Sequence, residues 1–128
     1  MVTDGELTEL ASRLGSTPTL TAYVDTTGGD GKLRSDWHAD VHNGVTELRR
    51  ALHGASRAEQ GAFDRSASRL EMRLRGLHDA ARAPSWVVVI AGGDVHHFTT
   101  LVTRVPTKLH WTRGPCLAAY PDPAQGPG

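Results

Sequence analysis

The chain has 128 residues, a length that suits one domain better than two, and its 14 Lys and Arg balance 14 Asp and Glu to a formal net charge of zero. That balance argues against a protein that coats nucleic acid nonspecifically, while leaving room for a locally basic face. A single cysteine, Cys116, excludes an internal disulfide and any multi-cysteine metal site, and no apolar run approaches the roughly 20 residues of a membrane helix.

Met1–Leu14 carries Asp4, Glu6 and Glu9 where a signal peptide would be basic and then apolar, so a cytoplasmic protein is expected. The spacing of Leu7, Leu10, Ala11 and Leu14 predicts a helix over about Asp4–Leu14, stopped by Gly15. Thr17–Thr26 follows as a strand, with Leu20, Ala22 and Val24 alternating against Thr19, Thr21, Tyr23 and Asp25. Thr26–Gly31 reads as a flexible loop. From about Ser35, a capping candidate, Trp37, Val41, Val45, Leu48 and Leu52 share one face of a long helix ending near Gly54. Phe63, Ala67, Leu70, Leu74 and Leu77 define a further helix over about Arg57–Arg82, and the two helices form an αα-hairpin packed on a sheet.

After Pro84, the continuous β-branched run Trp86–Ile90 suits a central strand buried on both faces. Gly92–Gly93–Asp94 turns the chain into a second strand near Val95–Val102, a third covers Thr107–Thr112, and Cys116–Tyr120 closes the domain. The expected fold is α/β (α+β), in the order α-β-α-α-β-β-β, with helices covering a mixed four- to five-stranded sheet. Residues 1–120 then form a single domain, and the Pro- and Gly-rich stretch Pro121–Gly128 reads as a linker to a further, downstream region.

Charge is unevenly spread. Met1–Gly29 holds one Arg and four acids, whereas Arg104–Arg113 holds Arg104, Lys108 and Arg113 with no acid. On the third helix Arg65, Arg69 and Arg73 recur every fourth residue, displaced from the apolar face, so three guanidinium groups form one exposed stripe able to grip RNA phosphates. Its plainer reading is a solvated helix face, with Asp64 and Glu71 near enough in sequence to neutralise part of it.

His38 and His42 stand four apart on the second helix, a spacing compatible with a shared metal. A zinc-protease helix needs a Glu beside the first His, where this chain has Ala39, and Asp40 points elsewhere; with Arg49 and His53 the pair reads better as a polar flank or an RNA-facing strip. Strand alternation sends one of His96 and His97 inward and the other outward, unless a bulge intervenes. Cys116, after Gly114 and Pro115, has no elbow motif around it, so no catalytic set, metal or cofactor is expected.

Three stretches carry a family resemblance: Thr17-Pro-Thr-Leu-Thr-Ala-Tyr-Val-Asp25, Trp86-Val-Val-Val-Ile-Ala-Gly-Gly93 and Val105-Pro-Thr-Lys-Leu-His-Trp-Thr-Arg-Gly-Pro115. In these and in element order, nearly the whole chain resembles the N-terminal domain of archaeo-eukaryotic class-one release factors, more closely that of their bacterial relatives. The resemblance implies a domain that docks in the ribosomal A site near the decoding centre, with any hydrolytic Gly-Gly-Gln loop in a separate central domain.

It does not extend to stop-codon reading. The loop matching the family's Asn-Ile-Lys-Ser motif is Leu52-His-Gly-Ala-Ser-Arg-Ala-Glu-Gln60, and its Tyr-x-Cys-x-x-x-Phe motif falls on Trp111–Leu117, with Arg113 in place of the Cys. What remains is docking by shape and phosphate contact, as in release, rescue or hibernation. The expected RNA contacts are Arg57 between the two long helices, Arg65, Arg69 and Arg73, and Lys108 and Arg113 on the closing strand. The expected partner is the ribosome and its rRNA, or a translation factor, with no membrane; a protein-interaction domain without RNA contact, or a metal enzyme on His38 and His42, are the alternatives.

Overall fold

The alternating run Leu20–Val24 and the continuous run Trp86–Ile90 become the two inner strands of one sheet. A computed structural model describes residues 4–25, 37–75, 85–101 and 105–117. In chain order these form α1 (Asp4–Leu14), β1 (Pro18–Asp25), α2 (Trp37–Ala51), α3 (Arg57–Arg75), β2 (Ser85–Ala91), β3 (Asp94–Leu101) and β4 (Lys108–Arg113), an α+β fold in the expected order. The Thr26–Gly31 loop, the Ser35 cap, the last turns expected to Arg82, residues 118–120 and the Pro121–Gly128 linker lie outside the described residues.

The four strands stand in the order β3-β2-β1-β4, and all three ladders are antiparallel, which corrects the expectation of a mixed sheet. The reason is parity. Two helices, running out and back, separate β1 from β2, so β2 enters opposite to β1, where a single crossover helix would give a parallel pair. From β3 the chain crosses the sheet end to reach β4 at the other edge. On the way the Val105 amide donates to Ser85 Oγ (2.8 Å) and Thr107 Oγ1 accepts from the Asp25 amide (2.9 Å).

One face carries the larger core. Leu20, Ala22 and Val24 of β1 and Trp86, Val88 and Ile90 of β2 pack against Val41 and Val45 of α2 and Phe63, Ala67 and Leu70 of α3. Burying each of the larger of these, the valines, leucines, Ile90 and Phe63, stabilises the fold by about 1.5–3 kcal/mol. The other face is covered piecemeal, Leu10 and Leu14 of α1 lying on Val89 and Ala91, and Val105 on Tyr23 and Val87.

That second cover explains why β1 is buried on both sides rather than half-solvated. The segment after β4 folds back over it: the Tyr23 hydroxyl donates to the Cys116 carbonyl (2.6 Å) and the Cys116 amide to Thr21 Oγ1 (3.1 Å). Gly114 permits the fold-back. Its φ is +78°, and a Cβ there would meet the Gly15 carbonyl oxygen at 2.5 Å.

Two local expectations change. α2 ends at Ala51, three residues before Gly54, whose φ is not positive; the chain leaves through short backbone bonds from His53 to Arg50 (3.2 Å) and from Ala55 to Leu52 (2.9 Å). In β3 the in–out alternation of His96 and His97 breaks, because Val89 pairs with His97 while Ile90 pairs with Val95, leaving His96 as the extra residue of a bulge.

Candidate nucleic-acid interface

α3 opens with Ser56-Arg-Ala-Glu59, the spacing of a capping box, and Ser56 Oγ accepts from the Glu59 amide (3.2 Å). The Glu59 carboxylate is used elsewhere, accepting from the Trp111 indole N–H (3.2 Å), while Phe63 stands edge-on to the Trp111 ring at 5.2 Å. Farther along, Arg49 of α2 donates to Asp64 (3.2 Å), and Glu71 lies 3.9 Å from His42. The acids of α3 therefore face β4 and α2.

The arginines face the other way. At 100° per residue, Arg65, Arg69 and Arg73 lie between about 100° and 180° around the axis from Asp64. All three are exposed, and among the described residues none has a carboxylate partner. Arg73 is nevertheless anchored, its guanidinium 5.0 Å from the Phe98 ring centre; Phe98 in turn packs on buried Trp86 at 5.7 Å.

Arg65 and Arg69 form one wall of a shallow groove of about 500 Å³, completed by Asp64, Ser68, Met72 and the turn Gly92–Gly93. Both glycines are left-handed, with φ of +62° and +83°, as a two-residue hairpin requires. The turn runs so close to α3 that a Cβ on Gly93 would lie 3.6 Å from Arg65 Cβ and line the groove floor. Asp64 stands at the rim with its charge already engaged by Arg49.

The remaining expected contacts divide by sheet end. Arg113 pairs with Pro18, and Ala91 with Thr19, so Arg113 shares an end with the glycine turn. Arg57, the first residue of α3 rather than a loop residue, lies two residues before Glu59, which reaches Trp111 near that same end. Its cation stands where the helix dipole disfavours one, and Arg50 and His53, also exposed, stand at the α2 side of the hairpin tip. The tip is braced by the Gln60 side-chain amide, which donates to the carbonyls of Leu52 (3.0 Å), His53 (3.2 Å) and Ala55 (2.9 Å). Lys108 pairs with Tyr23 toward the opposite end of the sheet and does not join this group.

Two histidines are shifted toward the neutral form. Burial holds His97 below the usual histidine range, with Glu6 opposing the shift and Arg13 adding to it; burial and then Lys108 do the same to His110. Among the described residues no three His, Cys, Asp or Glu side chains are grouped to hold a metal ion, and the His38 side chain lies outside them. No helix among them is long and apolar enough to cross a membrane.

No protein-family model matches the chain, and no curated protein matches it in sequence. The site rests on its own geometry. Sequence reasoning found the arginines but missed Ser68, Met72, Gly92 and Gly93 as their neighbours. Half of that was readable, since 65, 68, 69 and 72 follow the i, i+3, i+4, i+7 spacing of one helix face. The approach of the glycine turn was not, because it is a tertiary contact.

Proposed function

We propose that this chain is a cytoplasmic RNA-docking domain of a translation factor, binding the ribosome through phosphate contacts and doing no chemistry itself. The observation that supports it is the exposed pair Arg65 and Arg69, without carboxylate partners among the described residues because α3's acids turn toward α2 and β4. Arg73 extends the basic stripe toward the C-terminal end of α3, and Arg57 and Arg113 add cations near the hairpin tip and the end of β4. The ribosomal A site as the target rests on the resemblance to release-factor N-terminal domains. Each guanidinium that neutralises a phosphate releases a condensed counterion, so binding weakens as salt rises.

Co-sedimentation with purified ribosomes over a salt series tests this. Association at low salt that fades as salt rises is the expected result; no association at any salt overturns the reading. A second reading, a protein-interaction domain, draws on β3, an edge strand with no partner on its outer side among the described residues. It predicts binding to a protein that salt leaves unchanged.

A further inference from the structure

From the groove between α3 and the β2–β3 turn, we infer a seat for one unstacked ribonucleotide of the docked RNA, its phosphate held by Arg65, Arg69 and the glycine turn and its base against Met72. The inference rests on the RNA-docking reading and adds to it a fixed site with defined donors.

Four features of the groove point to that ligand. Arg65 and Arg69 line it one helical turn apart, both exposed on flexible side chains, and Ser68 between them adds a hydroxyl. On the facing wall, neither the Gly92 nor the Gly93 amide donates to a backbone carbonyl among the described turn and loop bonds, and in a two-residue hairpin the ladder uses the amide of the following residue, here Asp94 paired with Ala91. Backbone amides left open beside cations make an anion-binding concavity. The lone carboxylate of the lining, Asp64, makes its ion pair with Arg49 of α2 at 3.2 Å and none with Arg65 or Arg69.

Size and polarity extend the ligand beyond a bare anion. About 500 Å³ of open groove is more room than one phosphate needs. Met72, 60% exposed and the one large hydrophobic side chain so exposed among the described residues, lines the groove with a flexible thioether that packs well on aromatic rings. A nucleotide places its charge and its ring on these two surfaces at once. The groove is open, which suits a unit of a continuous strand.

Amide and methionine-methyl NMR on the full chain tests this with three probes at matched ionic strength: inorganic phosphate, adenosine 5′-monophosphate and a short oligouridylate. Saturable shifts of the Gly92, Gly93 and Ser68 amides with all three, a Met72 methyl shift with the two nucleotide probes only, and oligouridylate binding weakened roughly tenfold or more in R65A/R69A at unchanged melting temperature are expected. Ribosome co-sedimentation with no shift at the glycine amides would overturn the seat and leave the docking reading standing. Shifts with phosphate and adenosine 5′-monophosphate but none with oligouridylate would overturn the RNA seat as well, leaving a site for free nucleotides. Failure of ribosome co-sedimentation alone, with the oligouridylate shifts present, rejects the ribosome as target and supports the seat.

Discussion

The two sides of α3 carry similar numbers of charged residues and treat them differently. Toward α2 and β4, Asp64 accepts from Arg49 and Glu59 from Trp111, and Glu71 lies 3.9 Å from His42. Toward β3, Arg65 and Arg69 meet no acid among the described residues, and Arg73 rests on a ring. A chain with zero net charge thus presents a basic surface, because pairing, rather than counting, decides where charge is left over.

The comparison breaks most completely if α3 loses its seat. Phe63 lies under both sides, packed on Trp111 with the Arg49 guanidinium 5.9 Å from its ring. Phe63→Ala is expected to cost about 3–5 kcal/mol in chemical denaturation and to remove both sets of contacts together. A loss under about 1 kcal/mol would mean that α3 is not held by this core.

Removing only the basic side separates binding from stability. R65A/R69A is expected to weaken ribosome or oligoribonucleotide binding by roughly tenfold or more while leaving the melting temperature in place. Asp64→Asn sharpens the contrast from the acidic side. It removes an exposed pair worth at most about 1 kcal/mol, releases Arg49 and strips the groove rim of its negative charge, so stability falls slightly and RNA affinity rises. Weaker RNA binding in Asp64→Asn would place the carboxylate in the binding machinery instead.

Acid acts on the opposite face of the sheet. His97 and His110 both titrate below their unfolded value near 6.5, so the unfolded chain takes up protons first as pH falls. Their contribution is fully present above about pH 6.5 and is lost as pH drops through the folded values. Urea midpoints should therefore fall below about pH 6.5, and H97N should flatten part of that dependence. The smallest expected effect has the opposite sign to function: Arg69→Glu replaces like charges at i±4 with attractive pairs to Arg65 and Arg73, stabilising α3 by a few tenths of a kcal/mol while impairing RNA binding.

Much of the fold was legible because it is periodic. The leucines at 7, 10 and 14 marked α1 to its last residue, and Trp86–Ile90 announced an inner strand. Strand direction was legible in the element order rather than in any strand's composition: the two helices expected between β1 and β2 already require an antiparallel pair, which the expectation of a mixed sheet overlooked. The bulge at His96 was hidden, its register being set by β2. At the interface, Asp64 is adjacent to Arg65 in sequence, yet about 100° of helix separates them, and that turn sends the acid to α2. The groove needed residues 65 and 93 to meet, which no local pattern encodes.

The most direct test is the salt dependence of binding to ribosomes or oligoribonucleotide, measured for the unaltered chain and for R65A/R69A. If the two arginines hold phosphates, the slope of log affinity against log salt falls by about 1.4 to 1.8 in the variant. Equal slopes, or binding that salt does not touch, would contradict the account.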